Sequence, residues 1–351
     1  MASPSPAPHA ILLDKFNQVL AFRSVSAFGT LGVADFLGAH GPSSTATIAA
    51  ALQLHASALF RMLRACANVG LVTQSSPHEK DAEFELTPIG SCLQSNVPGS
   101  LRSVLDAWAQ PSHWQAFQHF ETSIKTGQAA THAAYGSDIW TYYQQRPQEQ
   151  ATFAAAMSDL SRSAIAPILA AISLSNASMI VDVGGSHGDL LAAILTKASP
   201  QARGILFDLE DVIATAPAAL AQNENGHQIT PVAGNFFDSV PKGDVYLLKH
   251  VLHDWSDDEC VAILKTIARH APRGARVLVI ELVLSSTVEP AAGIGGLLSP
   301  SIFMDVNMLS LSTGRERTAE QYAALYTTAG LHFSGVTPTP SPYAIVEGTV
   351  E

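Results

Sequence analysis

Cysteine is scarce: Cys66, Cys92 and Cys260 are the only three in 351 residues, and they stand far apart with no CxxC spacing. That arrangement does not suggest a disulfide framework, and reduced thiols of an intracellular protein are expected. Charge is sparse too. Only 14% of residues are Asp, Glu, Lys or Arg, and 19 basic side chains face 30 acidic ones, for a formal net charge of −11. Such an excess opposes the attraction to phosphate that drives nucleic-acid binding, so DNA and RNA are not expected as partners. No apolar run is long enough to span a bilayer, and the opening MASPSPAPHA has neither the basic residues nor the apolar stretch of a secretory leader. No membrane partner and a cytoplasmic location are the expectation.

Apolar residues, at 47%, are what the chain has in quantity, and they imply large buried surfaces. The length exceeds one average core, so two domains, or one with a large helical appendage, are expected. Residues 1–10 read as a loose tail. From Ala10 to Leu37 apolar residues recur at helical spacing, with a break at Gly29 and Gly32. This region is apolar on more than one face, which suits an element that docks into a second copy. A short helix over 47–52, a second over 57–69 and a hairpin from Gly70–Val72 and Phe84–Gly90 make a winged-helix pattern. Arg61 and Arg64 on the second helix would suit DNA, but the overall charge favours dimerisation.

Residues 101 to about 167 read as helical and hold Trp108, Trp114 and Trp140, more in keeping with a core than with a ligand cage. After Ser173 the texture changes to MIVDVG, GILFDL, ITPVAG, VYLLKH and RVLVIELVL, alternating with amphipathic helices. That is the pattern of βαβ units and a parallel sheet, with the second domain starting near residue 170.

The first of these strands enters Gly184-Gly185-Ser186-His187-Gly188 and a helix over 189–198. A glycine-rich strand-to-helix turn lets a ligand approach the backbone. Ser186 and Asp189 stand where the dinucleotide pattern needs glycine, so NAD fits poorly. Asp208, at the end of the next strand and 20 residues after Gly188, suits the hydroxyls of a ribose. Lys249 to Trp255 lie at the carboxyl end of the fourth strand, and the capping box Ser256/Glu259 starts the next helix. His253 therefore faces the same crevice as the turn, where an imidazole can serve as a base near neutral pH. His250 and His253 alone make an incomplete metal site, and no metal is expected. Glu281, on the fifth strand among apolar neighbours, needs a partner. Glu316 precedes a second capping pair, Thr318 and Gln321, and either carboxylate suits the other nitrogen of His253.

Taken in order, MIVDVGGSHG, FDLEDVI, AGNFF, LLKHVLHDWSDDEC, VIELVL and GRERT resemble the caffeic-acid-type O-methyltransferases of plants and their bacterial relatives in antibiotic and phenazine tailoring. The resemblance covers essentially the whole chain and is most specific where HDWSD combines with RERT. It implies an α/β fold, with a Rossmann-like methyltransferase domain behind an N-terminal, mostly helical winged-helix dimerisation domain. The implied division is 1–100 for dimerisation, 101–172 as a helical connection lining an acceptor pocket, and 173–351 for binding S-adenosyl-L-methionine, with S-adenosyl-L-homocysteine as product. Carried over by position, Gly184 meets the methionine part and Asp208 the ribose, with Gly185 and Leu209 also on the cofactor side. Asn235 and Phe236 flank the adenine, Lys249 lies beside the cofactor, and Ser161 meets its amino-acid end. Phe153, Met157, His250, Asp254, Met304 and Met308 fall on the acceptor side. His253 matches the base, bounded by Glu281 and Glu316.

Two positions depart from the pattern: Asn235 often is Asp in the family, and Ser186 replaces a third glycine but is small enough to be tolerated. The expected activity is methyl transfer to a hydroxyl of a small aromatic molecule (phenolic, phenazine or polyketide-like) by a homodimer. The glutamates would orient the imidazole and stabilise its charged form. The alternative is a non-methylating tailoring enzyme, hydroxylase- or decarboxylase-like, on the same fold; a winged-helix regulator that senses a nucleoside is opposed by the acidic balance.

Overall fold

The computed structural model describes residues 7–76, 78, 82–174, 176–288 and 298–351. They form two compact units, one of residues 7–115 and 140–160, the other of residues 116–139, 161–288 and 298–351.

The first unit begins with α1 (Pro8–Thr30), followed by α2 (Val33–His40). The expected tail is shorter than ten residues, because proline at the first helical position starts α1 at Pro8; residues 1–6 lie outside the described residues. The Ser44 hydroxyl accepts the Thr47 N–H at 3.1 Å and starts α3 (Thr45–Leu52), and α4 (Ala56–Asn68) follows. Strands Val72–Gln74 and Glu83–Leu86 pair antiparallel, with Ser43–Ser44 added at the edge. Phe28, Val33, Leu37, Ile48, Leu63 and Phe84 form the core that joins these elements. The outer face of α1 is not covered: Leu12 is 73% exposed and Phe16 61%, with Leu13, Val19 and Leu20 beside them.

Residues 102–171 are helical, as expected, and divide between both units; α5 (Pro147–Ala171) carries Phe153 and Met157.

The second unit is built on a seven-stranded sheet. Its strands are β1 (Met179–Val183), β2 (Arg203–Asp208), β3 (Ile229–Ala233), β4 (Val245–Lys249), β5 (Arg276–Glu281), β6 (Leu331–Pro338) and β7 (Ala344–Val350), in the order β6-β7-β5-β4-β1-β2-β3. The first five are parallel, whereas β7 runs antiparallel to β5, and β6 to β7. Alternation sorts each central strand between two cores: Leu247, Leu278 and Ile280 fall in one, Tyr246, Leu248, Val277 and Val279 in the other. The closing hairpin of β6 and β7 is absent from the sequence reading. Its strands are not separated by a helix, and a register shift between Phe333 and Gly335 breaks the alternation that would have marked β6.

Helix α6 (Asp189–Leu195) follows β1 and ends three residues earlier than its apolar pattern suggested. Both expected capping boxes form, Ser256/Glu259 ahead of α7 (Asp257–His270) and Thr318/Gln321 ahead of α9 (Ala319–Ala329). Between them lies α8 (Pro300–Leu311), the carrier of Met304 and Met308. Strand order reverses at β1, between β2 and β4, so the carboxyl ends of these strands flank the crevice where open α/β sheets bind ligands. Among the described residues, no single helix is long and apolar enough to cross a membrane.

Candidate active site

The turn after β1 is tight because its glycines leave no room for more. A Cβ on Gly185 would lie 2.6 Å from the Asp182 carboxyl carbon. Gly184 has φ +70°, and Ser186 adopts φ +54°, a left-handed conformation that costs a non-glycine residue about 1–2 kcal/mol. Small size alone therefore does not explain why serine is accepted there. The Ser186 N–H donates to Asp208 Oδ2 at 2.9 Å, and the Leu209 N–H donates to Oδ1 at 2.7 Å, which ties the turn to the end of β2. Burial raises the Asp208 carboxyl, with those two N–H groups opposing the rise. Leu209 is 58% exposed beside it. On the next strand end, Asn235 spends its carbonyl on the Phe237 N–H at 3.0 Å, and Phe236 packs with Phe237 and Trp255 at ring distances of 5.0 and 5.8 Å.

Beneath the turn, Lys249 at the end of β4 donates to Ser161 Oγ at 2.8 Å. Burial lowers its ammonium, while Glu281 and Asp182 pull the other way. Asp182 is 2% exposed, and its Oδ2 has no hydrogen-bond partner. Burial pushes this carboxyl up to about 7, opposed by Lys249 and helped by Asp208.

The chain turns sharply after β4. His250 sits at φ +54°, and the short 3-10 turn Leu252–Asp254 brings His253 back over the strand ends. Glu281, fully buried, holds this turn by its backbone: its Oε1 accepts the N–H of Val251 at 3.1 Å and of His253 at 3.4 Å. Glu316, 1% exposed, holds the ring, with Oε1 2.9 Å from His253 Nδ1. A carboxylate only accepts, so Nδ1 carries a proton, and Nε2 lies outside this contact. The Glu281 Oε2 lies 3.9 Å from Nδ1, and Asp254 Oδ1 lies 3.7 Å from Nε2. The two glutamates thus divide the work that the sequence reading gave to both: one shapes the loop, the other orients the ring. Burial alone would lower the imidazole, but Glu281, Asp254 and Glu316 together push it up to about 10. Burial in turn pushes Glu281 up to about 7, against the pull of His253. His253, Glu281 and Glu316 also bring three possible metal-ligand atoms within 4.8 Å of one another, although Nδ1 is here engaged by Glu316.

His250 lies 4.8 Å, ring to ring, from His253 and 4.9 Å from Tyr343; burial, Lys249 and His253 hold it well below the ordinary imidazole value, hence neutral. Met304 packs on the core of the second unit and receives an N–H from Asn307 on its sulfur at 3.6 Å, while Met308 is buried. In the first unit, Phe153 stacks on Tyr143 at 5.2 Å and meets Trp140 edge-on at 6.2 Å. Met157 follows one turn later on α5.

Three residues of this neighbourhood escaped the sequence reading. Asp182 lies inside an apolar strand pattern, where a lone acidic residue is itself the signal. Trp255 belongs to the HDWSD block but reads as core. Arg317, fully buried, stands next to Glu316, and nothing in its spacing announces that it points inward.

Residues 117–332 match the profile described as an O-methyltransferase domain, and residues 15–96 the O-methyltransferase dimerisation domain. The chain is 32% identical to phenazine O-methyltransferase of Lysobacter antibioticus over 96% of its own length and 95% of the relative's. It is 34% identical to the O-demethylpuromycin-O-methyltransferase of Streptomyces alboniger over 90% and 82%. Human N-acetylserotonin methyltransferase, solved with S-adenosylmethionine, superposes with a TM-score of 0.87 at 26% identity over 99% of both chains. An O-methyltransferase from neocarzinostatin biosynthesis, solved with S-adenosylmethionine and 2-hydroxy-5-methyl naphthoic acid, does so at 0.76 and 31% identity over 94% and 96%.

The raised values at His253 and Glu281 mean that the folded chain binds protons here more tightly than the unfolded chain. The stabilisation from this coupled pair is present below the ordinary imidazole value of 6.5 and is lost as pH climbs toward about 10. Thermal midpoints measured across this range should fall with rising pH. In Glu316→Gln the fall above 6.5 should be shallower, because one of the charges that raises the imidazole is gone.

Proposed function

The chain belongs to the S-adenosylmethionine-dependent O-methyltransferase family, and from that premise we propose that it methylates a hydroxyl of a small aromatic secondary metabolite, with His253 as the acceptor-side base. The observation that carries this reading is the His253 ring, held through Nδ1 by Glu316 at 2.9 Å with Nε2 left over, on a strand end next to the glycine turn.

The donor-side residues fit the cofactor in their chemistry. The ammonium of Lys249, the hydroxyl of Ser161 and the orphaned Oδ2 of Asp182 offer both signs of charge, as a zwitterionic amino-acid end requires. Asp208 keeps lone pairs beyond its two backbone contacts and suits a ribose diol, with Gly184, Gly185 and Leu209 around it. Asn235 has an N–H₂ group to offer the adenine, and Phe236 an apolar face. When bound, the cofactor supplies a methyl group activated by its sulfonium. For this chain's own residues the tasks are orientation and proton management. The acceptor O–H proton passes to His253 Nε2 as the oxygen–methyl bond forms and the sulfur–methyl bond breaks, leaving a neutral thioether. Glu316 and Glu281 stabilise the resulting imidazolium.

Because the same carboxylates favour imidazolium at rest, an acceptor that arrives as its oxyanion meets a fixed positive charge, whereas a neutral acceptor needs the scarcer neutral ring. His250, Asp254, Met304 and Met308 are assigned to the acceptor side, with Phe153 and Met157 from the helical segment. Residues 1–100 are assigned to dimerisation, 101–172 to the acceptor side and 173–351 to donor binding and chemistry. In the dimer, the apolar outer face of α1 is the surface assigned to the second copy; an exposed row of Leu12, Phe16 and Leu20 is otherwise unsupported in water.

Asp208→Ala should weaken S-adenosylmethionine and S-adenosylhomocysteine alike, by the roughly 1.5–3 kcal/mol that hydrogen bonds to a charged group contribute. Equal calorimetric affinities in parent and variant would take Asp208 out of the site. Leu12→Ser with Phe16→Ser should convert dimer to monomer in sedimentation; an unaltered dimer would put the interface elsewhere. His253→Ala should retain donor binding but lose roughly 10²–10⁴ in turnover of a neutral phenol, the worth of a positioned base, and lose less with acceptors already ionised at the assay pH. Parental turnover of a neutral phenol by that variant would reduce His253 to a structural role.

A further inference from the structure

The segment from Ser312 to Arg317 crosses directly behind the His253 turn. Gly314 lies so close that a Cβ there would sit 1.9 Å from the His253 carbonyl oxygen, so only a residue without a side chain lets the two backbones meet. Two residues on, Glu316 takes the imidazole, and its own N–H donates to Asp305 of α8 at 3.0 Å. Arg317 then turns inward with no exposure at all. Its Nη1 donates to the Leu252 carbonyl at 2.9 Å and to the Arg315 carbonyl at 3.2 Å, and Nη2 donates to the Trp255 carbonyl at 2.7 Å. Its Nε reaches Asp257 Oδ1 at 2.9 Å. Cys260 adds its thiol to the Leu252 carbonyl at 3.1 Å.

Burying a guanidinium costs several kcal/mol unless every direction is satisfied, and here most of the satisfaction comes from backbone carbonyls on either side of one histidine. Leu252 precedes His253 and Trp255 follows it by two residues. Glu281 holds the same turn from the opposite side by its N–H groups. The turn is therefore clamped by an anion on its amides and a cation on its carbonyls, which leaves it little freedom to rotate.

We propose that Arg317 is a positioning residue for the reaction: through the carbonyls of Leu252 and Trp255, and backed by Asp257, it fixes the backbone from which the His253 imidazole is aimed. The inference rests on the reading of His253 as base. The geometry asks for a fork rather than a point charge, since two separate carbonyls and a carboxylate must be met at once. Asp257 is 47% exposed and can be altered from the solvent side without opening the core. Arg315 pairs with the other oxygen of Asp257 but its side chain meets no carbonyl of the turn, which makes it the control.

The test compares Arg317→Lys, Asp257→Asn and Arg315→Gln in the full chain, with the fold checked by thermal melting. Three readouts are taken: calorimetric affinity for S-adenosylmethionine, kcat and KM for a neutral and an ionised phenol, and the pKa and Nδ1–H resonance of the His253 ring in ¹⁵N-histidine-labelled protein. Expected for Arg317→Lys and Asp257→Asn are unchanged donor affinity, a loss of roughly 10- to 100-fold in kcat for the neutral phenol, of the size that small misplacement brings, and a smaller loss for the ionised one. The Nδ1–H resonance should broaden or move, and Arg315→Gln should match the parent throughout. Parental kcat together with an unperturbed ring resonance in both Arg317→Lys and Asp257→Asn would overturn the proposal. A perturbed ring with parental turnover would uphold the clamp and overturn instead the reading of His253 as base.

Discussion

A carboxylate with no exposure ends a central strand, and much of the site is arranged around making Glu281 tolerable. An ionised group there forfeits its hydration, so the fold must return hydrogen bonds and counter-charge from close by. Backbone amides of Val251 and His253 supply the first, which forces the chain to double back directly after β4 and leaves His250 in a left-handed conformation. The imidazole of His253, carried by that same turn, supplies the second. A histidine on a strand-end loop is thus the group whose backbone and ring together neutralise the strand beneath it.

One strand end carries residues proposed for both the donor side and the acceptor side. Lys249 is the last residue of β4 and belongs with Asp182 and Ser161 under the glycine turn, while His250 and His253, one and four residues later, lie on the other side. Asp182 and Glu281 both raise the Lys249 ammonium against the effect of burial, so the two sides share one electrostatic environment. In so dry a setting each charge is felt strongly by its neighbours, so a change of protonation on one side is registered on the other.

The excess of acid in the whole chain is a statement about partners, not about this site. Locally, three carboxylates around one ring decide where its proton rests, whatever the surface carries. The acceptor side is of a different character. The residues proposed for it come from separate segments, Phe153 and Met157 on α5, His250 on the loop after β4, Met304 and Met308 on α8. Aromatic and thioether side chains recognise shape, and shape can vary while the reacting groups stay in place.

That contrast also separates what could be read in the chain from what could not. Alternating apolar runs, the glycine turn, both capping boxes and the His253 loop were legible because each is encoded within a few residues, where propensity and periodicity act. So was the reaction class, through the order of those short blocks. The closing hairpin of β6 and β7 was not, since its partner β5 is some seventy residues away from the end of β7 and a register shift hides the alternation. Nor was the split between Glu281 and Glu316, or the inward turn of Arg317: a carboxylate's choice between an amide and an imidazole, and a guanidinium's choice between solvent and four acceptors, depend on groups that only the folded chain brings together. Sequence by itself determined the five parallel strands, the glycine turn and the reaction class; tertiary structure decided which charge holds which atom, because burial sets the strength of those interactions and burial exists only once the sheet, α7, and the segment from 312 to 317 have closed on one another.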